Sequence, residues 1–291
     1  RGSGSLGMIA NYLSFMVSGM LAGKMKNIKA DLVFSFEVSP MTQVMTGISF
    51  AKKLHVPHYL YVQDLWPENV ITVTGIRNPL IIKPIDKMVD YIYKNSDEIF
   101  ATSPSFVEAI CNRKAAVNRE KVHYWPQYAE EFYKPIDKSI AKETAVAYGI
   151  PNDDSFKIIF TGNVGTAQGL QILPKTAEIL KNENVKFVIV GDGRYLDTLT
   201  EEIKKYQVKD KFVLVPRQTA AEGETARIIK ESGCGVCCDL GNAQQLAQMV
   251  TEMMQSDLKL MAENSRRYFD NNFTKQILMN EIDKYLSMER K

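Results

Sequence analysis

The sequence predicts an α/β protein with two Rossmann-like domains whose parallel sheets face one another across a cleft. Short apolar runs alternate with helical patterns, as is typical of βαβ units. The alternation stops at a charged, turn-rich linker over residues 130–155 and then restarts. The length of 291 residues suits two domains of ordinary size. Ligands of such sheets bind at the carboxyl ends of the strands.

The first half contains four predicted strands, with helical patterns between them. The strands are ADLVFSF at 30–36, PHYLYVQD at 57–64, DEIFATS at 97–103 and VHYWPQY at 122–128. The second half contains four more, which are KIIFTG at 157–162, VKFVIVGDG at 185–193, KFVLVP at 211–216 and CGVCCD at 234–239. Helices are predicted after them at 168–180, 196–206 and 224–232, and then at 243–254, 258–269 and from 275 onwards.

Composition excludes several classes of protein. A net charge of +2 argues against a nucleic-acid binder. Four cysteines indicate a reducing compartment, and C-x-x-C without a second pair disfavours zinc. With three scattered histidines, we expect no metal site. Residues 6–23 carry no charge, which favours a buried helix or a helix lying against a bilayer surface over a membrane span, since a span needs about 20 strongly apolar residues.

Two glycine-rich turns are the candidate ligand-binding segments of the second half. FTGNVGTAQGL at 160–170 and VIVGDG at 188–193 each place glycines where a strand ends and a helix begins. Backbone N–H groups at that place can hold a diphosphate, although a tight turn would use glycine as well. The spacing G-x-x-G-x-x-x-G fits the dinucleotide fingerprint poorly, and no G-K-[ST] follows as in a P-loop. The pair of turns therefore favours a nucleotide ligand.

The sequence TGNVGTAQGLQILPKTAEIL, with VKFVIVGDGRYLDTL and KFVLVP after it, resembles the donor half of family 4 glycosyltransferases of the GT-B fold. The segments YVQDLWPENV, EIFATSPSF and WPQY are similar to the acceptor half of the same group. The resemblance covers almost the whole chain and lies nearest to amino-sugar (L-fucosamine-type) transferases of O-antigen and capsule assembly.

The resemblance implies a retaining transfer from a UDP-sugar without a metal or other cofactor. It implies that the acceptor half supplies Asp64 and Glu68 as catalytic residues, facing the transferred sugar or the acceptor hydroxyl. The residues that it implies for the nucleotide and its diphosphate are Gly162, Asn163, Gly165, Gly191, Asp192, Gly193, Arg217 and Glu224. Positive charge and helix N-termini would stabilise the departing phosphate.

Each of these residues also has a purely structural interpretation. Arg217 could be a solvated surface cation, and Glu68 could cap the helix after Pro67. Trp66 could line the sugar site, but a core position is expected. Asp64 is the strongest functional candidate, because site residues concentrate at the carboxyl ends of strands.

The sequence departs from the family pattern in two places. The arginine and lysine that many members carry in the first donor loop are replaced by Asn163 and Gln168. Between Glu222 and Gly223, a strand–helix–strand stretch of roughly 40 to 50 residues that members carry is missing, far more than a usual connection. A true deletion would expose sheet edges, so we expect the 291 residues to be part of a longer protein.

These observations predict an acceptor-side domain over 1–138, a donor domain over 139–272 and a helix over 273–291 that packs back on the first domain. They predict transfer of an N-acetylated amino or deoxy sugar to a lipid-linked or saccharide acceptor, at the inner face of the bacterial membrane and in the cytoplasm. The alternatives are a GT-B sugar-nucleotide epimerase and a non-catalytic nucleotide-binding module.

Overall fold

The computed structural model describes residues 5–25, 28–113, 117–129, 137–216 and 226–288. The chain divides into two compact units. Unit 1 comprises Arg1–Tyr128 together with Gln276–Lys291, and unit 2 comprises Ala129–Lys275. Each unit is built around its own parallel sheet.

Unit 1 has a four-stranded parallel sheet in the order β1-β2-β3-β4. Its elements are α1 (Ser5–Met25), β1 (Val33–Glu37), α2 (Val44–Leu54), β2 (His58–Val62), α3 (Glu68–Thr74), α4 (Pro79–Lys94), β3 (Glu98–Ala101), α5 (Pro104–Cys111) and β4 (Val122–Tyr124), with α12 (Lys275–Met288) added from the end of the chain. All five residues of β2 are buried, as expected for a central parallel strand that is covered on both faces.

Side-chain caps start the helices of unit 1 where the sequence changes from strand to helix. Asn78 accepts a hydrogen bond from the N–H of Leu80 and precedes Pro79, so α4 begins with both a cap and a proline at its first position. Ser103 caps α5 in the same way through the N–H of Phe106. These caps bring both helices back onto one face of the sheet, where Leu60, Val62, Ile99 and their neighbours form the main core.

The opposite face of this sheet is covered by α12. Ile282 of α12 packs with the rings of Tyr59, Tyr61 and Phe100. Trp125 Nε1 donates a hydrogen bond to the carbonyl oxygen of Leu278, at 2.8 Å.

A polar chain completes this contact. His123 lies between Glu98, at 2.6 Å from Nε2, and the hydroxyl of Tyr285, at 3.1 Å from Nδ1. Helix α12 is thus held by both aromatic packing and hydrogen bonds.

Helix α1 is not buried, contrary to the first of the two sequence interpretations. Large apolar side chains on it are about half exposed, namely Leu13, Phe15, Val17 and Leu21. The helix packs against α2, where Gly19 lies close to the side chain of Thr46. No helix among the described residues is long and apolar enough to cross a bilayer.

A buried histidine connects the strands of unit 1 to the end of α4. His58 is 1% exposed, and its Nδ1 lies 3.1 Å from Ser96 Oγ while its Nε2 lies 2.8 Å from Ser35 Oγ. Because Ser96 Oγ donates its own proton to the carbonyl of Ile92, it accepts from Nδ1–H, and Nε2 accepts from Ser35. This pattern requires a neutral imidazole, and burial lowers the pKa of His58 to about 4.

Unit 2 has a three-stranded parallel sheet in the order β5-β6-β7. Its elements are α6 (Lys138–Ala147), β5 (Phe156–Thr161), α7 (Leu173–Ile179), β6 (Val185–Val190), α8 (Leu196–Lys205), β7 (Phe212–Val215), α9 (Ala226–Ser232), α10 (Ala243–Gln255) and α11 (Leu258–Asn272). The core lies between the sheet and the helices α7, α8 and α10, around Phe187, Ile189 and Leu199.

Three details of unit 2 differ from the sequence prediction. The linker contains α6, whose start is capped by Asp137 through the N–H of Ser139. The helix predicted from Gln168 begins as 3₁₀ turns, because Gly169 adopts φ 73° and interrupts it. The predicted strand at 234–239 pairs with no strand in the described part of the chain, so it remains an irregular segment.

Candidate active site

In unit 1 the candidate site lies at the carboxyl ends of β1 and β2, which are neighbours in register. Ser39 follows β1 by two residues and Asp64 follows β2 by two residues. The backbone N–H and the hydroxyl of Ser39 both donate to Asp64 Oδ2, at 3.0 and 2.7 Å. Oδ1 of Asp64 has no hydrogen-bond partner among the residues described. One carboxylate oxygen is therefore fixed and the other is open to a ligand.

Ser39 also fixes the loop that follows Asp64. Its hydroxyl oxygen accepts from Trp66 Nε1 at 3.2 Å and from Asn69 Nδ2 at 2.9 Å. Trp66 is only 7% exposed and belongs to the main core of unit 1. The interpretation of Trp66 as a core residue is therefore correct, and its indole N–H connects that core to the site.

A second carboxyl group lies beneath this loop. Glu37, the last residue of β1, is fully buried, and its Oε2 accepts from the N–H groups of Gln63 and Asp64, each at 3.3 Å. Burial, opposed in part by these backbone hydrogen bonds and reinforced by the nearby charge of Asp64, raises the pKa of Glu37 to about 8. The site thus contains two carboxyl groups in different environments.

Arg113 braces the loop from the helical side. Its guanidinium bonds to Asp86 and, at 2.8 Å, to Asp90 of α4, and it contacts the carbonyl oxygen of Trp66 at 3.4 Å. It also lies over the ring of Tyr93, 5.7 Å from the centroid. The loop that carries Asp64 is therefore tied to α4.

Glu68 lies on the same loop as Asp64. It is the first residue of α3, is exposed, and has no side-chain partner among the residues that the structure describes. Its charge suits the positive end of the helix dipole, so the structural interpretation remains open beside the catalytic one.

In unit 2 the two glycine turns follow the adjacent strands β5 and β6 and are bonded to one another. Gly162 N–H donates to the carbonyl of Val190 at 3.0 Å, and Val164 N–H donates to the carbonyl of Asp192 at 2.9 Å. Tyr195 N–H then donates to the carbonyl of Val164 at 3.0 Å. The two turns therefore form one backbone layer at the carboxyl edge of the sheet.

Backbone contacts within this layer are enough to explain why two of its positions are glycine. A Cβ on Gly191 would lie 1.9 Å from the carbonyl oxygen of Gly162, and one on Gly193 would lie 2.2 Å from the carbonyl oxygen of Val164. Both positions require glycine because backbone approaches backbone there.

Gly162 and Gly165 differ from that pair. A Cβ on Gly165 would meet only the flexible ends of the Gln168 and Asn163 side chains. A Cβ on Gly162 would approach only the ring of Phe160, at 3.5 Å, but the φ of 152° at Gly162 itself favours glycine. Backbone packing therefore does not require a glycine at position 165. A ligand that comes close to this turn would require one.

The same layer offers polar groups suited to an anion. The backbone N–H groups of Asn163 and Asp192 have no acceptor within the described ranges. The carboxylate of Asp192 accepts from the N–H of Gly193 at 2.7 Å. Arg194, which follows directly, is exposed and has no ion-pair partner among the described side chains, so it is an available cation. Arg217 and Glu224 lie outside the described residues.

Sequence reasoning missed four residues of these two regions, namely Glu37, Ser39, Arg113 and Arg194. Only Arg194 carried a local signal, a cation directly after the second glycine turn. None of the four cysteines, Cys111, Cys234, Cys237 and Cys238, is in a disulfide, and no group of three metal-ligating side chains occurs among the described residues.

Residues 142–222 match the family described as Glycosyl transferases group 1. This segment includes both glycine turns. The crystal structure of Anabaena HepE in complex with UDP has a similar fold, with a TM-score of 0.73 at 12% identity, covering 94% of this chain and 82% of that one. The chain thus has the GT-B fold, as its sequence predicts, and the matches support a glycosyltransferase enzyme.

Two curated relatives are similar over most of the chain. The probable glycosyltransferase WbjE of Pseudomonas aeruginosa is 22% identical over 96% of this chain and 79% of its own length. The alpha-monoglucosyldiacylglycerol synthase of Streptococcus pneumoniae is 23% identical over 60% of this chain and 41% of its own length.

Proposed function

We propose that this protein transfers a sugar from a UDP-sugar to a saccharide or lipid-linked acceptor, with retention of the anomeric configuration. The observation that carries the proposal is the position of the group 1 match. It covers the layer in which Gly165 can accommodate a close ligand and in which the N–H groups of Asn163 and Asp192 are available. Anabaena HepE, which has a similar fold, was solved with UDP.

In this proposal the diphosphate binds at the glycine layer of unit 2. The N–H groups of Asn163 and Asp192 together with Arg194 stabilise negative charge on the departing phosphate, and Arg217 and Glu224 contribute to the nucleotide site. This arrangement uses no metal at the diphosphate. Since Asn163 and Gln168 stand where many family members carry cations, Arg194 is the cation that supports the proposal most directly.

Asp64 is the proposed catalytic carboxylate of unit 1, with Glu68 as its neighbour on the loop. Ser39 holds Oδ2 of Asp64 and leaves Oδ1 open, which is the geometry required of a group that faces a sugar or an acceptor hydroxyl.

The finer proposal concerns the substrates. The donor would carry an N-acetylated amino or deoxy sugar, and the acceptor would be lipid-linked, in O-antigen or capsule biosynthesis at the inner face of a bacterial membrane. Two observations support a lipid. One curated relative is named for a glycosylated diacylglycerol, and α1 exposes large apolar side chains.

The test is release of UDP from a panel of UDP-sugars, with and without alkyl glycosides as acceptor probes. The proposal predicts UDP release that depends on the acceptor, with a product of retained anomeric configuration by NMR. UDP and free sugar in the absence of acceptor would instead indicate the epimerase. Binding of UDP by calorimetry without any turnover would indicate the non-catalytic module.

Asp64→Asn tests the proposed role of Asp64. We expect kcat to fall about 100-fold or more while the affinity for UDP stays within about twofold, because acid–base groups contribute about 10²–10⁴-fold to rate. Asp31→Asn, at an exposed position of the same unit, is the control. Unchanged turnover in Asp64→Asn would remove Asp64 from the mechanism.

A further inference from the structure

Glu37 is unusual because its carboxyl group has no exposed surface, lies at the end of a strand and has no ion-pair partner among the described side chains. The ionisable groups around it are Asp64 on the β2 loop and Tyr93 on α4. The other charged groups that influence the pKa of Tyr93 are Arg113, Glu68 and Asp90. Arg113 is already bonded to Asp86 and Asp90. An unpaired buried charge is costly, so this position needs an explanation.

The hydrogen bonds of Glu37 explain why its carboxyl group is buried at this position. Its backbone carbonyl accepts from the N–H of Gln63 at 2.9 Å, and its side-chain Oε2 accepts from the N–H groups of Gln63 and Asp64. One residue thereby holds two consecutive peptide groups of the turn after β2. Oε1 is buried without a partner among the described atoms.

We propose that Glu37 is a positioning residue for Asp64. Its buried carboxyl group fixes the Gln63–Asp64 backbone so that Oδ2 of Asp64 meets Ser39 and Oδ1 stays open. The kinetic part of this inference rests on the proposed catalytic role of Asp64. The structural part, that the carboxyl group of Glu37 holds this turn, stands independently.

Protonation gives the arrangement a pH dependence. Since burial raises the pKa of Glu37 to about 8, the group is mostly neutral at pH 7, and it adds no negative charge beside Asp64. As the pH rises through about 8, Glu37 ionises and repels the Asp64 carboxylate. We therefore expect activity to decline on the alkaline side of pH 8.

The first experiment requires no substrate. In protein labelled with ¹³C at the glutamate carboxyl carbons and with ¹⁵N, the NMR signal absent from Glu37→Gln identifies Glu37. We expect it to titrate near pH 8, with the amides of Gln63 and Asp64 shifting at the same midpoint. Asp64→Asn should lower that midpoint, because it removes the neighbouring charge. A Glu37 midpoint below about 5, near the ordinary value for Glu, would overturn the pH dependence. Amides of Gln63 and Asp64 that do not follow the titration of Glu37 would overturn the positioning role.

The second experiment compares Glu37→Gln, Glu37→Ala and the exposed control Glu120→Ala, with UDP release from the best UDP-sugar of the panel. Glutamine keeps an oxygen for the two N–H groups, so most of kcat should remain and the alkaline decline should disappear. Alanine removes that acceptor, so kcat should fall about tenfold or more with KM for the UDP-sugar little changed.

Wild-type kcat in Glu37→Ala, or an alkaline decline retained in Glu37→Gln, would contradict the positioning role. If Glu37→Ala does not fold, the pH profile of Glu37→Gln and the NMR titration test the positioning role of Glu37. Absence of turnover with every UDP-sugar would overturn the proposed function and leave the titration result standing.

Discussion

A turn can require glycine because backbone approaches it closely or because a ligand does. Gly191→Ala tests the first reason and Gly165→Ala tests the second. In Gly191→Ala the new Cβ would lie 1.9 Å from the carbonyl oxygen of Gly162, where ordinary contact begins at 3.4 Å. The two turns would have to separate by about 1.5 Å, the difference between these distances. Such a movement disrupts the backbone hydrogen bonds that Gly162 and Val164 donate across the layer, at 3.0 and 2.9 Å.

The expected cost follows from those contacts. Overpacking against rigid backbone costs about 1–3 kcal/mol, and each lost hydrogen bond adds about 0.5–1.5 kcal/mol. Gly191→Ala should therefore lower the free energy of unfolding by about 3 kcal/mol or more. Gly165 has φ −117° and ψ 169°, which any residue adopts, and faces only flexible side-chain ends. Gly165→Ala should therefore cost less than about 1 kcal/mol.

Binding should show a different pattern. If the diphosphate lies against the turn at Gly165, a methyl group there crowds it, and the affinity for UDP should fall about tenfold, which is about 1.4 kcal/mol. Urea unfolding followed by circular dichroism gives the stabilities, and calorimetry gives the UDP affinities.

Gly169→Ala is the control for backbone strain alone. Its φ of 73° is unfavourable for alanine, while no atom of the described residues lies within 4 Å of the added Cβ, so a cost of about 1–2 kcal/mol is expected. Wild-type stability of Gly191→Ala would refute the close-approach argument. Wild-type UDP affinity in Gly165→Ala would mean that the diphosphate does not lie on that turn.

Two further predictions concern unit 1. The pKa of His58 is lowered to about 4 in the folded state, against about 6.5 when unfolded, so the unfolded chain binds the extra proton first and stability falls with falling pH below about 6.5. Between pH 7 and pH 5 the wild type should lose about 2 kcal/mol relative to His58→Asn in urea unfolding. Arg113→Met should lower the free energy of unfolding by about 2 kcal/mol, because Asp90 and the Trp66 carbonyl lose their donor.

The controls address the competing effects. Glu37, whose folded pKa is raised, changes stability in the opposite direction over an overlapping pH range, so only the difference between wild type and His58→Asn isolates His58. If the difference in free energy of unfolding between wild type and His58→Asn does not vary with pH, the pKa of His58 is not lowered in the folded state. For Arg113, the exposed neighbour Lys87→Met should stay within about 0.5 kcal/mol of wild type. Equal stability of Arg113→Met and Lys87→Met would show that the contacts of Arg113 do not contribute to the free energy of unfolding.

The strands and the later helices were predictable because their signals are local. The runs that form β2 and β6 are apolar except for His58 and Lys186, and α10 and α11 follow the good caps Asn242 and Asp257. The segment 234–239 has the composition of a strand, but pairing also requires a neighbour, which composition does not specify.

The site was only partly predictable for a related reason. Asp64 could be found from its position after a strand. Glu37 and Ser39 act on it from more than 20 residues away in sequence, and β1 alone gives no sign that Glu37 is buried. The exposure of α1 was equally invisible, because an uncharged run does not reveal how many of its faces find a partner.

The position of α12 in the chain has a consequence for synthesis of the protein. Strands β1–β4 precede unit 2, and the helix that covers their aromatic face follows it. At about 5–20 residues per second, a ribosome needs roughly 8 to 30 s to make the intervening segment. During that time Tyr59, Tyr61 and Phe100 lack their cover, and unit 2 is made before that cover is available. The aromatic face of unit 1 therefore cannot be covered until the last helix has been made, although most of unit 1 is synthesised first.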